Sequence, residues 1–224
     1  MTDLGAFLGE YDLSLLVALG EHLRLVAIAL VVASLISIPL GVLIWRNERV
    51  AGAVIGVASL IQTIPSIALF GLLIPILAMV DRGIGAFPAT IALILYAILP
   101  ILRNTHAALR SIPPASIDAA RGIGMTERQM IRTVALPLAA PGVIAGIRTA
   151  ATMSIGVAAI AAYIGAGGLG LFIARGIATS WNTMTIAGAI GVILLALGVE
   201  LALGWLERLV TPRASADITG RSGS

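Results

Sequence analysis

The sequence predicts an all-α integral membrane protein with about five transmembrane helices. Hydrophobic residues make up 59% of its 224 residues and charged residues only 11%, and the mean hydropathy is +1.06. A soluble domain of ordinary composition carries about a quarter charged residues. Several uncharged stretches reach about twenty residues, which is long enough to cross a hydrocarbon core of about 30 Å as a helix. The chain is therefore expected to span a membrane several times.

Five apolar spans follow one another along the chain. Their approximate limits are residues 25–44, 50–80, 84–102, 138–164 and 184–206. The second span is interrupted by three polar residues and a proline, namely Gln62, Thr63, Pro65 and Ser66. Because proline removes a backbone donor and bends a helix, we expect this span to be broken at that point.

The arginine positions predict the orientation of the spans. All 14 basic residues are arginine. Most lie in three groups, which follow span one, separate spans three and four, and follow span five: Arg46 and Arg49; Arg103, Arg110, Arg121, Arg128 and Arg132; Arg208, Arg213 and Arg221. With five crossings the three groups share one side, which the positive-inside rule identifies as the cytoplasm. The N-terminus is then outside and the C-terminus is cytoplasmic.

This orientation divides the chain into three parts. Residues 1–24 are expected to form an extracytoplasmic N-terminal segment, and residues 25–207 the transmembrane domain. Residues 208–224 are expected to be a cytoplasmic tail, disordered because its polar composition offers little to bury.

The absence of cysteine and lysine limits the chemistry of this chain. Without cysteine there is no disulfide or thiolate metal site, and without lysine there is no P-loop for ATP. We expect no catalytic residue, no metal and no cofactor in this chain. His22 and His106 lie at span ends beside arginines and are expected at the membrane interface. A pI of about 10.2 could indicate nucleic-acid binding, but arginines placed between apolar spans are better explained by topology.

A charged and glycine-broken segment, residues 113–137, separates spans three and four. Its helix starts and breaks are marked by Pro114, Gly122, Gly124, Thr126 and Gln129. Proline suits the first turn of a helix, and the glycines end that helix. A threonine three residues before a glutamine forms a capping box that starts another helix. We expect two short helices on the cytoplasmic side, the second ending at Pro137.

The residue order of this segment resembles the EAA loop of the permease subunits of ABC importers. That pattern has Glu-Ala-Ala, a glycine after three residues, and Ile-x-Leu-Pro after nine more. The matching residues here are Asp118, Ala119, Ala120, Gly124, Val134, Leu136 and Pro137. Asp118 and Val134 replace the Glu and Ile of the pattern. The resemblance implies a type I ABC importer permease fold, in which this coupling segment transmits ATP-driven movement to the membrane helices.

The same resemblance implies the partners. Two copies of an ATP-binding subunit would hold ATP and Mg, and a second permease subunit, identical or a paralogue, would complete the transporter. An extracytoplasmic binding protein would deliver the substrate. The implied location is a bacterial or archaeal cell membrane, in contact with lipid and not with nucleic acid.

Three further stretches resemble the permeases of osmoprotectant importers, which carry glycine betaine, carnitine, choline or proline betaine. They are "SLIQTIPSIALFGLLIPI" (59–76), "LYAILPILRNT" (95–105) and "YIGAGGLGLFIARGI" (163–177). Permeases of methionine or other amino-acid importers share the five-span plan and are the rival interpretation. A self-sufficient secondary transporter or channel is a further alternative, but the sequence contains no detectable inverted repeat.

Two groups of residues are candidates for the path of the solute. The predicted translocation path consists of Gln62, Thr63, Pro65, Ser66, Phe70 and Tyr96. The polar groups at the break have an alternative role, because they can satisfy a carbonyl that proline leaves free. The predicted external gate is a glycine-rich loop with Gly165, Gly167, Gly168 and Gly170. An ordinary tight loop is the alternative.

Two charged residues lie inside predicted spans. At a rise of about 1.5 Å per residue, Arg148 and Glu200 lie about 16 and 12 Å from the cytoplasmic end. Charges at such depth pair or extend toward the interface. We expect an ion pair between spans four and five, with snorkelling of Arg148 alone as the alternative.

Overall fold

The computed structural model describes residues 9–211, which are helical with short connections. The helices are α1 (Asp12–Ile44), α2 (Glu48–Thr63), α3 (Ser66–Ala78), α4 (Ala86–Arg110), α5 (Pro114–Gly122), α6 (Glu127–Met130), α7 (Leu136–Ala161), α8 (Gly170–Ala178) and α9 (Asn182–Val210). A π-helical turn, Ile131–Ala135, joins α6 to α7, and a 3₁₀ turn, Ala162–Ile164, follows α7. Residues 1–8 of the expected N-terminal segment and residues 212–224 of the expected tail, with Arg213 and Arg221, lie outside the described residues.

The chain runs along the helix bundle five times. Four of these passages are long apolar helices, and between α1 and α4 lie α2 and α3, a pair bent by 95°. The bent pair starts beside the end of α4, since Arg110 Nε lies 2.8 Å from Glu48 Oε1. Just beyond the pair, the backbone N–H of Gly85 donates a 2.8 Å hydrogen bond to the Ile164 carbonyl, at the far end of α7. The bent pair therefore traverses the bundle as the fifth crossing. We call the end with α5 the coupling end and the end with Gly165–Gly170 the loop end; their assignment to cytoplasm and exterior stays a prediction.

Helix α1 is longer than the predicted first span. It begins at Asp12 rather than near residue 25 and has 33 residues, or about 50 Å at 1.5 Å per residue. The charges of Glu21 and Arg24 ended the apolar pattern in the sequence. In the structure the helix continues beyond them because Ala18 and its neighbours pack against Leu169, Phe172 and Met184 at the loop end.

Helix α4 lies at the centre of the bundle, between α1, α2 and α7. Its close crossing with α7 depends on small residues. A Cβ added to Gly142 would lie 2.5 Å from the Cβ of Ala108, and one added to Gly146 would lie 2.7 Å from the Cβ of Asn104. In a membrane, small residues allow the van der Waals packing that holds helices together.

The second coupling helix does not end at Pro137, as the sequence had suggested. Helix α6, the π-helical turn and α7 form one continuous helix from Glu127 through Ile164. Pro137 has no N–H to donate to the carbonyl of Thr133, four residues earlier, and its ring would clash there in a regular α-helix. The wider π-helical turn accommodates the proline without ending the helix.

Candidate coupling segment, helix break and glycine loop

Helix α5 presents one face to the rest of the chain and another to its surroundings. Ile117 is 8% exposed and Ala120 only 4%, and both pack in a cluster with Met130. Asp118 and Ala119 lie on the exposed face. Of the Asp-Ala-Ala sequence, the first two residues can therefore contact a partner, whereas Ala120 fits α5 onto its own bundle.

An exposed apolar residue, Ile123, follows α5 and was not among the predicted site residues. Its side chain is 74% exposed, between two glycines at the tip of the segment. Single exposed apolar residues are common at protein surfaces. An isoleucine on the same exposed surface as Asp118 and Ala119 nevertheless adds apolar area to any contact made there. The sequence could have indicated this position, because Ile123 is a large apolar residue that stands between Gly122 and Gly124 in a turn.

Gly124 and the following cap fix the turn between the two helices. Gly124 has φ +79°, which is a left-handed conformation that costs little only for glycine. The expected capping box is present: Gln129 Oε1 accepts a 2.8 Å hydrogen bond from Thr126 N, and Thr126 Oγ1 accepts one from Gln129 N. An ion pair of 2.6 Å between Arg46 and Glu127 ties the second helix to the end of α1.

Tyr96 and Gln62 provide hydrogen-bond donors for two backbone carbonyls, one that a proline leaves free and one at the α2–α3 break. Pro100 has no N–H for the carbonyl of Tyr96, four residues earlier on α4; Gln62 Nε2 donates to this carbonyl at 3.0 Å. At the α2–α3 break before Pro65, Ile64 has extended backbone (φ −73°, ψ 124°), and its carbonyl accepts a hydrogen bond from the Tyr96 hydroxyl. A side chain of α2 thus donates to a carbonyl of α4, and a side chain of α4 donates to a carbonyl at the end of α2.

The residues of the predicted path fall into two groups. Thr63 and Pro65 are exposed at the break and Ser66 is half-buried. By contrast, Phe70 is 1% and Tyr96 7% exposed, and both lie in the core of this chain with residues of α1, α4 and α7. The last two side chains pack rather than face an open path in this structure. The path role of the residues at the break stays a prediction.

The glycine-rich loop is held against α1. Gly165, Gly167 and Gly168 have φ values of +81°, +79° and +77°. The Gly168 N–H donates a 2.9 Å hydrogen bond to Glu21 Oε2, and a Cβ added to Gly167 would lie 2.5 Å from that same oxygen. The loop therefore needs glycine for its backbone conformation and for its approach to α1. Gly170, at the start of α8, lies against α7 instead: a Cβ there would lie 2.1 Å from the Ala159 carbonyl oxygen.

His22 lies beneath this loop and faces the inside of the bundle; its expected position at the membrane interface stays a prediction. The residue is fully buried, with Nε2 3.1 Å from the Ile155 carbonyl oxygen. The prediction placed His22 by its position at a span end beside an arginine, Arg24. Glu21 and Arg24 lie on the exposed side of α1, whereas the side chain of His22 turns toward α7.

The expected contact between Arg148 and Glu200 is present and is part of a larger cluster. Arg148 Nε lies 3.2 Å from Glu200 Oε1, and Arg148 Nη1 lies 2.7 Å from Glu207 Oε2. Thr152 Oγ1 also donates to Glu200 at 3.1 Å. Glu207 was missed, although its distance of seven residues from Glu200 puts both on one face of α9. Within residues 9–211, no group of three or more acidic or histidine side chains could hold a metal ion.

Taken together, the five-crossing bundle and its helix–glycine–helix segment define a membrane permease of a transport system. A family model described as "Binding-protein-dependent transport system inner membrane component" matches residues 12–214. The chain belongs to this family and is an integral membrane protein.

Similar proteins of known function or structure cover nearly all of the chain. The osmoprotectant import permease protein OsmW of Salmonella typhimurium is 52% identical over 86% of this chain and 90% of its own length. The glycine betaine/carnitine/choline transport system permease protein OpuCB of Bacillus subtilis is 40% identical over 95% of this chain and 96% of its own. A solved structure of the MetNI methionine ABC transporter, in an inward-facing conformation, has a TM-score of 0.78 and 27% identity, covering 86% of this chain and 94% of the solved one. The fold is thus that of type I ABC importer permeases.

Proposed function

We propose that this chain is the permease subunit of an ABC importer for compatible solutes of the quaternary-amine class, such as glycine betaine, carnitine or choline. The similarity to OsmW, 52% over 86% of the chain, carries this proposal. A match over 193 residues is far longer than the coupling segment and so does not depend on that segment alone.

The energy for transport comes, in this proposal, from two copies of a separate ATP-binding subunit that holds ATP and Mg. The coupling residues are Asp118, Ala119, Ala120, Gly124, Leu136 and Pro137, to which the exposed position of Ile123 adds a further contact. Asp118, Ala119 and Ile123 face outward from the bundle, whereas Ala120 and the continuous helix through Pro137 join the contact to the membrane helices. The permease itself catalyses no reaction.

Two further partners complete the transporter. A second permease subunit, either another copy of this chain or a paralogue, forms the path together with the exposed residues at the α2–α3 break. An extracytoplasmic binding protein delivers the solute to the loop end, where the glycine loop acts as the gate.

Selectivity is expected to reside in the binding protein and not in this chain. A quaternary ammonium has no hydrogen-bond donor, and proteins recognise it with a cage of aromatic rings. The aromatic side chains suggested for the interior, Phe70 and Tyr96, are buried in the bundle. A path without such a cage binds weakly, and weak binding favours release. Micromolar binding of glycine betaine to the isolated permease, lost in Tyr96→Phe or Phe70→Leu, would contradict this division of roles.

An amino-acid importer is the alternative with an observation in its favour, the structural similarity to the methionine transporter. That similarity has 27% identity, against 40–52% for the osmoprotectant permeases. A self-sufficient secondary transporter has no such support.

The experiment is uptake into proteoliposomes that contain the complete transporter and its binding protein. Labelled glycine betaine, carnitine and choline are each tested with and without ATP inside the compartment that the ATPase faces, with methionine as the control. We expect ATP-dependent uptake of at least one quaternary amine and none of methionine. Uptake of methionine alone, or uptake that does not depend on ATP, would overturn the proposal.

A further inference from the structure

Three polar contacts join α2 to α4, and their members on α4 recur at a regular interval. Tyr96 exchanges hydrogen bonds with Gln62 and the Ile64 carbonyl. Arg103 Nη2 donates to Ser59 Oγ at 3.1 Å, and Arg110 pairs with Glu48 at 2.8 Å. We refer to these three as the α2–α4 polar contacts.

The α4 members of these contacts share one face of the helix. Tyr96, Arg103 and Arg110 are seven residues apart, which is about two turns of an α-helix. Their partners on α2 run in the opposite direction, from Gln62 near the break to Glu48 at the first residue. The two helices are therefore antiparallel and matched along about 21 Å, the length of fourteen residues at 1.5 Å each.

An apolar seam runs beside the polar contacts. Ala51 and Ala58 of α2 are buried in one cluster with Leu99 and Leu102 of α4. Apolar packing alone would allow small sliding movements, because it is not directional. Hydrogen bonds and ion pairs are directional, so the polar contacts fix the position of α2 along α4.

The contacts connect two regions that the proposed function assigns to different tasks. Arg110 is the last residue of α4, and α5 begins four residues later at Pro114. Tyr96 lies at the α2–α3 break, where Thr63 and Pro65 are exposed. One continuous helix therefore leads from the coupling segment to the break, with α2 attached at three levels.

We propose that the α2–α4 polar contacts transmit movement of the coupling segment to the α2–α3 break, with Tyr96, Arg103 and Arg110 as positioning residues. This inference rests on the proposed function, because it presupposes that ATP-driven movement enters at α5. When α4 moves with α5, the contacts make α2 and the break move with it. Tyr96 thus acts through the backbone of the break and not as a ring that lines the path.

The exposure of the contacts separates this role from simple stabilisation. The side chains of Arg110 and Glu48 are 52% and 61% exposed. Exposed ion pairs contribute little to folding stability. Loss of this contact should leave the bundle folded while α2 becomes free to lag behind α4, so that ATP is hydrolysed without a matching movement of solute.

The test is the number of ATP molecules hydrolysed per solute imported by the complete transporter in proteoliposomes, with labelled glycine betaine, carnitine or choline as the probe. For the single charge reversals Arg110→Glu and Glu48→Arg we expect this ratio to rise about threefold, a change of the size that one exposed ion pair can supply. The double reversal restores the pair and should return the ratio to the wild-type value. Arg49→Gln, which removes a neighbouring charge that has no ion-pair partner among the described residues, is the control and should change nothing.

Milder variants keep the proposal testable if a reversal prevents assembly. Ser59→Ala and Gln62→Met each remove one contact without adding a charge, and both should raise the ratio in the same direction. If uptake and ATP hydrolysis fall together in the single variants and the double reversal does not recover, the contacts are merely structural and the proposal is wrong.

The proposed role of the α2–α4 polar contacts can be wrong while the proposed function is right. If all the contact variants keep the wild-type ratio while Gly124→Val still impairs uptake, the coupling segment works but its movement reaches the break by another route. If Gly124→Val also leaves uptake and binding of the ATPase unchanged, the coupling assignment itself fails.

Discussion

The carboxylate of Glu21 on α1 accepts a hydrogen bond from the backbone N–H of Gly168, 147 residues further along the chain. The sequence places Glu21 in the expected extracytoplasmic segment, residues 1–24, and Gly168 in the predicted external gate. Their contact gives the glycine-rich loop a defined partner on α1, and this partner can be removed without changing the loop sequence.

Removing that acceptor should expose the loop. We expect Glu21→Ala to make a cysteine placed at Ala166, which is 8% exposed in this structure, react about ten times faster with a thiol reagent, since a hydrogen bond to a charged group is worth about 1.5 kcal/mol or more. The sequence contains no other cysteine to interfere. Thr90→Ala, which removes a hydroxyl whose hydrogen bond among residues 9–211 is to Ala86 of its own helix, is the control. Equal reactivity in all three backgrounds would show that Glu21 does not restrain the loop.

The two glycines of the coupling segment should differ in their tolerance of side chains. A Cβ at either Gly122 or Gly124 meets no atom within 4 Å, but only Gly124 has a positive φ. Gly124→Val should therefore strain the turn by about 1–2 kcal/mol and reduce recovery of the ATPase with the purified permease. Gly122→Val is the matched control and should copurify with the ATPase normally. Equal copurification for both variants would contradict a conformational role of Gly124.

Ile123 should contribute to the contact with the ATPase. Burial of an isoleucine side chain is worth about 1.5–3 kcal/mol, so we expect Ile123→Ser to weaken the affinity for the ATPase by about tenfold or more while the thermal stability of the permease stays the same. Ile84→Ser removes an equally exposed isoleucine (73%) at the loop end and should leave this affinity unchanged. An Ile123→Ser permease that binds the ATPase like wild type would place Ile123 outside the contact.

The members of the ion cluster on α7 and α9 should contribute unequally to the stability of the permease. Arg148 bonds both carboxylates, at 3.2 and 2.7 Å, so Arg148→Met leaves two like charges close together. We expect it to destabilise the purified permease by about 1–3 kcal/mol, more than Glu200→Gln or Glu207→Gln. Combining Arg148→Met with both glutamine substitutions should restore part of the loss, because no unpaired charge remains. Thermal unfolding in detergent measures which of the variants loses most stability. If Arg148→Met is the mildest of the three, the cluster does not stabilise the bundle.

Features governed by nearby residues could be predicted from the sequence. The break at Pro65 follows from a missing N–H, the turn at Gly124 from its need for a left-handed backbone, and the capping box from the spacing of Thr126 and Gln129. Each depends on a few adjacent residues, and the structure places each one where it was expected.

Features that depend on which helix faces meet could not be predicted in the same way. Tyr96 fits a role in the path by its aromatic and polar chemistry. Its hydrogen bond to the Ile64 carbonyl could not be predicted, because it depends on how α4 packs against the break. His22 and Glu21 are consecutive, yet one is buried and the other exposed because α1 turns by about 100° per residue. The sequence therefore predicted the glycines of the loop but not Glu21, whose carboxylate accepts a hydrogen bond from Gly168.

The π-helical turn at Ile131–Ala135 has a consequence for the direction of the coupling segment. A π-helical turn is equivalent to an α-helix with one residue inserted. Deletion of one of these residues would return the helix to regular α geometry, but it would also turn α6 by about 100° around the axis of α7 and shift it by about 1.5 Å. Helix α5 lies in one cluster with Met130 of α6 and with Trp45 and Leu109, so it could not keep both sets of contacts. The length of this turn therefore matches the direction of α6 to the surface on which α5 rests.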